Sequence, residues 1–282
     1  MSFERPGFML LTVLAALAGT AAIGLLAEHA YDPRVAHAEI LADADRAARD
    51  ELVALGLRPV ALPAAQSLRA ERGVEVLEVA RPIEVGLGHG LASAQPPSEV
   101  ARARGLSIVR EELSRYPAGL LARARLYRVV LCEGLREAGT RIPSLPNVQR
   151  SLLLDVDATP EFLRRLVHHE VFHFVDYAED DQVQTDRDWS ELAERERVFG
   201  SGGRFLRDPA GARLGSGPPG FVTRYATSAL EEDKAETFSF LMVAPAALAE
   251  LSNRDAVLSE KRQRVQRQIQ RLWPALGDEL WR

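Results

Sequence analysis

The stretch His168-His169-Glu170-Val171-Phe172-His173 carries two histidines four residues apart with a glutamate next to the first. On a helix, residues four apart share a face, so the imidazoles of His169 and His173 reach one metal ion, and Glu170 reaches a water on that ion. Zinc suits such nitrogen donors, and a catalytic zinc site takes three protein ligands and leaves the fourth position to water. The chemistry implied is hydrolysis, with the water's pKa brought toward about 7 and Glu170 taking its proton. His168 lies one residue off that face and reads as a packing or supporting residue.

A third ligand has to come from elsewhere in the chain. Asp176 follows His173 by three residues, a spacing that suits orienting a histidine or stabilising the helix end better than direct ligation. The acidic run Glu231-Glu232-Asp233-Lys234-Ala235-Glu236 opens a second helix whose other side, Phe238, Phe240, Leu241 and Met242, is apolar. Glu232 and Glu236 are one turn apart, so one carboxylate can bind metal while the other accepts a hydrogen bond from a ligating histidine. The competing reading is a solvated acidic helix start favoured by the helix dipole.

His169-Glu170-x-x-His173 together with Tyr225, Glu232 and Glu236 resembles the gluzincin metallopeptidases, in particular the branch containing the catalytic domain of anthrax lethal factor and the secreted Pro-Pro endopeptidases. The likeness runs over about residues 105 to 250. It implies that Glu232 is the third zinc ligand, Glu236 a carboxylate supporting the site, and Tyr225 a hydroxyl donor to the oxyanion. It implies a reaction type, hydrolysis of peptide bonds in a peptide or protein, and no particular substrate.

Several elements must position these residues. Thr159-Pro160-Glu161 is a helix start: Thr159 caps free amides, proline suits the first turn, and Glu161 complements the dipole. The apolar runs 126–131 and 151–156 read as strands, and the second, just before the metal helix, is expected to offer an edge to which an extended peptide adds. Residues 98–115 read as a helix ended by Pro117, and 33–57 as a helix closed by Gly56 and Pro59. Residues 62–97 mix extended pieces with glycines and prolines, as a spacer or small β element would. The Gly- and Asp-rich stretch 180–220 fits a lid or a passive connection equally. Leu258, Val265, Ile269 and Leu272 fall at helical spacing, giving a C-terminal helix that packs on the domain with a solvated basic face. The fold expected is α+β and zincin-like: a small sheet, the active-site helix, and a mainly helical C-terminal half.

With 282 residues, 46% hydrophobic and 27% charged, the chain has the composition of a packed globular protein. A formal charge of −5 gives no reason to expect nucleic acid as a partner. Residues 7–27 carry no charge and at about 1.5 Å per residue span roughly the 30 Å of a bilayer core. The run is longer than a typical signal-peptide core and reads as an uncleaved anchor holding an extracytoplasmic domain on a membrane; cleavage would yield a secreted form. Cys132, the single cysteine, sits in an apolar run and reads as an inert buried thiol. The organisation expected is 1–30 as anchor or signal, 31–104 as stalk, spacer or small accessory region, and 105–282 as the zinc domain. Two other functions fit the same residues: an anchored, non-catalytic zinc protein of the envelope, and a zinc hydrolase of a non-peptide amide.

Overall fold

The computed structural model describes residues 33–87, 90–148, 150–180, 186–193, 199–200, 208 and 210–281. The charge-free run 7–27 lies outside these residues, as do parts of the 180–220 connection. No helix among the described residues is long and apolar enough to cross a membrane. The chain divides into two units, 1–50 and 51–282. In the first, the described part is helical and belongs to α1 (Pro33–Leu55), which runs into the second unit.

The second unit is a mixed α/β structure built on an eight-stranded sheet. In chain order it contains β1 (Leu57–Pro59), α2 (Pro63–Arg72), β2 (Glu75–Val79), β3 (Ile83–Leu87), β4 (Gly90–Gln95), α3 (Glu99–Ser114), α4 (Leu120–Arg123), β5 (Arg128–Glu137), β6 (Thr140–Arg141), β7 (Ser144–Val148), β8 (Ser151–Asp155), α5 (Pro160–Asp180), α6 (Arg187–Ala193), α7 (Leu230–Val243), α8 (Pro245–Asn253) and α9 (Ala256–Leu272). The first half of β5 lies between β2 and β8, parallel to both. Its second half turns to pair antiparallel with β4 and with β6. Strands from residues 57–95 thus share one sheet with those after residue 105.

The apolar run at β5 is continuous because both of its faces are covered. Val129 and Leu131 join Val76, Leu152 and Leu154 in the large core beneath α3 and α5, while Val130 and Cys132 join Leu77 and Leu153 in a smaller core on the other face. Burial pushes the Cys132 thiol pKa up, so it stays protonated, and its Sγ–H donates to the Leu154 carbonyl. Helix α3 comes close to the end of β8 at Gly105, where a Cβ would stand 2.5 Å from Val156 Cγ1.

The sequence expectation about the substrate edge needs correction. β8 is paired on both sides, parallel to β5 and antiparallel to β7, so it has no edge to offer. The outermost strand beside the metal helix is β7, which among the described residues pairs only with β8. The reason is that β7, which comes just before β8 in the chain, folds back antiparallel along the side that β5 leaves free and so puts β8 in the interior.

Candidate metal centre

α5 starts as its first residues dictate, with Thr159 Oγ1 accepting from the Phe162 amide at 3.4 Å and Pro160 in the first turn. One face of it, Leu163, Leu166, Val167, Val171 and Phe174, packs into the large core. That packing leaves His169 and His173 pointing toward α7, and their Nε2 atoms lie 3.2 Å apart. Glu232 meets them from the first turn of α7, with Oε2 3.0 Å from His169 Nε2 and Oε1 3.7 Å from His173 Nε2. Both histidines are buried, and Glu170 is buried beside them at 4% exposure.

These separations test whether the residues fit zinc. Tetrahedral ligands at about 2.0–2.1 Å from zinc stand about 3.3 Å from one another. The three observed separations, 3.2, 3.0 and 3.7 Å, bracket that value. His169, Glu170 and His173 also place ligand atoms within 4.8 Å of one another. The donor set of two imidazoles and one carboxylate is one that catalytic zinc sites use.

The surroundings fix the donors. His169 donates from Nδ1 to Glu236 Oε1 at 3.0 Å, which directs Nε2 toward Glu232 and His173. Glu236 in turn accepts from Thr223 Oγ1 at 2.7 Å and from Arg165, one turn before His169. Burial pulls the His169 pKa down, but its hydrogen bonds to Glu232 and Glu236 outweigh that and push it up to about 10. Burial raises Glu232, and the two histidines more than reverse this, holding it at about 2. Positive charge is therefore strongly favoured at the point where these groups meet.

Glu170 accepts from Ser144 Oγ at 2.6 Å through Oε1. Its Oε2 is buried and has no hydrogen-bond partner among the described residues. Tyr225, in a short 3-10 turn at Tyr225–Thr227, hydrogen-bonds Glu232 through its hydroxyl. Burial, then the Glu232 charge, push its pKa up, so the phenol keeps its proton. These groups line a cleft of about 220 Å³ with Ile142, Pro143, Leu145, Pro146 and Phe162 along its apolar side.

Two residues singled out from the sequence lie elsewhere. Asp176 takes Lys234 Nζ at 2.8 Å and Gln268 Nε2 at 2.6 Å, so its hydrogen bonds run to α7 and α9 rather than to a histidine. His168 points into the core, where it accepts from Tyr116 Oη at 2.7 Å and donates to Glu112 at 2.9 Å. The acidic start of α7 is not solvated: Asp233, Lys234 and Glu236 are all buried. Sequence reading missed Ser144, Thr223 and Arg165. Only Arg165 carried a signal, lying four residues before His169 and hence on its face.

No family model matches this chain, and no curated protein matches it in sequence. Among solved structures it is similar to one from Bacteroides caccae described as a "putative zinc-binding metallo-peptidase", at 17% identity and a TM-score of 0.42, over 79% of this chain and 89% of that one.

Proposed function

We propose that this protein is a zinc-dependent metallopeptidase of gluzincin type, with His169, His173 and Glu232 holding the ion and Glu170 as general base. The observation that carries the reading is the convergence of those three donors beside a buried carboxylate that has one free oxygen.

A zinc ion held there would serve as a Lewis acid, acidifying water and polarising a carbonyl. Glu170 Oε2 takes the proton of the attacking water, and the same carboxyl delivers it to the leaving amine. Ser144 keeps Oε1 occupied, so the proton is handled at the other oxygen. Tyr225, neutral at all working pH values, donates to the carbonyl oxygen as negative charge gathers there. Glu236 holds His169 in the tautomer whose Nε2 is free to bind. The apolar wall of the cleft and the outermost strand β7 fit an extended peptide, which would pair with β7 rather than β8. The charge-free run 7–27 supports a form tethered to a membrane, with the catalytic domain outside the cytoplasm.

The test is zinc content and peptide-library digestion of the purified full-length protein beside His169→Ala, Glu232→Ala and Glu170→Gln. About one zinc per folded chain, lost in the first two variants and retained without turnover in the third, is the expected result. Folded wild-type protein that takes up no added zinc rules out the reading. A loaded protein that cleaves no peptide but hydrolyses other amides narrows it to the wider class of zinc hydrolases.

A further inference from the structure

Of the 35 basic residues only Lys234 and Lys261 are lysines, and both are buried. Lys261, on α9, is 0% exposed, as is its partner Asp233 on α7, and Nζ lies 2.6 Å from Asp233 Oδ2. The same ammonium donates to the Gly220 carbonyl at 2.6 Å and stands 4.0 Å from the centroid of the Phe221 ring. The Trp189 indole N–H, from α6, donates to the same Asp233 oxygen at 2.8 Å.

A fully buried ion pair is weak ground for stability, because desolvating both charges consumes most of what their attraction returns. Its position says more. Asp233 is bonded directly to Glu232. Gly220 begins the segment that delivers Thr223 to Glu236 and Tyr225 to Glu232. The Gly220 peptide is held at its other end too, since its N–H donates to Asp255 Oδ2 at the start of α9, at 2.7 Å. Its φ of +84° is one that only glycine adopts without strain. One ammonium thus joins the helix turn carrying Glu232 to the loop carrying the phenol. A compact ammonium can serve two oxygens on different elements, whereas the planar guanidinium fork needs acceptors arranged along its edge. That accounts for a lysine here in a chain whose basic residues, Lys234 apart, are otherwise arginines.

We propose that Lys261 is a positioning residue, which through Asp233 and Gly220 sets Glu232 and Tyr225 at working distance from each other. Its consequence for catalysis rests on the metallopeptidase reading; its consequence for the geometry does not. The full-length protein is compared with Lys261→Met and with the double variant Asp233→Asn/Lys261→Met, which avoids stranding a buried carboxylate. Peptide-resolved amide hydrogen exchange is measured on chelator-treated protein, zinc affinity by competition with a chromophoric chelator, and kcat and KM on a peptide that the wild type cleaves. In the double variant, exchange over 220–226 and 230–236 should rise roughly tenfold while strands 128–132 and 151–155 exchange as in the wild type. Zinc affinity should fall roughly tenfold, and kcat should fall with KM little changed. Wild-type exchange in the two segments overturns the proposal, and so does equal acceleration across the sheet, which reports a global loss of stability. A wild type that binds no zinc removes the metallopeptidase reading and leaves the exchange data to decide the role of Lys261.

Discussion

Replacing Ser144 by alanine removes one hydroxyl, 2.6 Å from Glu170 Oε1. Glu170 is 4% exposed, and its other oxygen has no donor among the described residues, so Ser144 supplies the hydrogen bond that fixes how the carboxylate faces the cleft. A hydrogen bond to a charged acceptor contributes about 1.5–3 kcal/mol. Each 1.4 kcal/mol or so is tenfold in rate, so a base released from this orientation should cost roughly 10- to 100-fold in kcat. Ser144 sits on β7, outside the three-donor cluster on α5 and α7, and zinc content should stay at the wild-type value. KM should change by about twofold or less, because a group that acts on the proton affects the transition state more than ground-state binding. The assay is steady-state hydrolysis of a fluorogenic peptide, with zinc content and thermal melting measured on the same preparation. Ser144→Thr, which keeps the hydroxyl, should recover much of the loss. An unchanged kcat, or loss of zinc alongside activity, would refute the assignment of Ser144 as the residue that orients the base.

Glu236→Gln keeps the shape of the side chain but removes the charge that His169 Nδ1–H and Arg165 meet, so zinc affinity should fall roughly 10- to 100-fold by chelator competition with the fold retained. Away from the cleft, burial pushes the Glu112 carboxyl up, but hydrogen bonds from His168 and Arg164 more than reverse this and hold it at about 2, below its ordinary 4.5. A carboxylate depressed on folding contributes stability that is present in full above about 4.5 and is lost as pH falls toward about 2, here on the order of 3 kcal/mol. Urea midpoints of wild type and Glu112→Gln should therefore differ at pH 6 and converge as pH drops through 4. Gly105→Ala places a methyl 2.5 Å from Val156 Cγ1, which should cost about 1–3 kcal/mol. Adding Val156→Ala should restore part of that, giving a non-additive double-mutant cycle in chemical denaturation.

What could be read from the sequence follows from which interactions are local. The histidine spacing defines one helix face, and Thr159 with Pro160 defines where that helix starts, so both were legible before any tertiary structure. The strands at β5 and β8 announced themselves as apolar runs. Their neighbours did not, because β2 reaches β5 from some fifty residues upstream and no pattern inside β8 reveals that both of its sides are taken. For the same reason residues 62–97 read as a spacer or a small β element of their own, whereas their strands belong to the main sheet. Ser144 and Thr223 are single hydroxyls without any spacing rule to mark them. The C-terminal helix was read with its lysine on a solvated basic face, whereas Lys261 turns inward with Val265 and Ile269. Helical period places it on the border between the two faces, and only the partner, Asp233, decides which side it joins.

The distribution of counter-charges separates the carboxylates that build this protein from those that face the cleft. Around the site, Asp176 pairs with Lys234, Asp233 with Lys261, Glu236 with Arg165, and Glu112 with Arg164 and Arg115. For Glu170 and Glu232 the pattern changes. Glu170 is met by a serine hydroxyl, and Glu232 by two imidazoles and a phenol. Among the described residues neither is paired with a lysine or arginine, although the chain places such partners throughout the adjoining helices. A carboxylate in a largely buried cleft is costly unless a cation meets it or its proton is used, and at Glu232 the positive charge comes from His169, whose pKa is pushed up to about 10. In the proposed reaction a bound zinc ion would take over that role at Glu232, and proton transfer would use Glu170. Glu170 and Glu232 are thus the two carboxylates of the cleft to which the proposed hydrolysis gives a task.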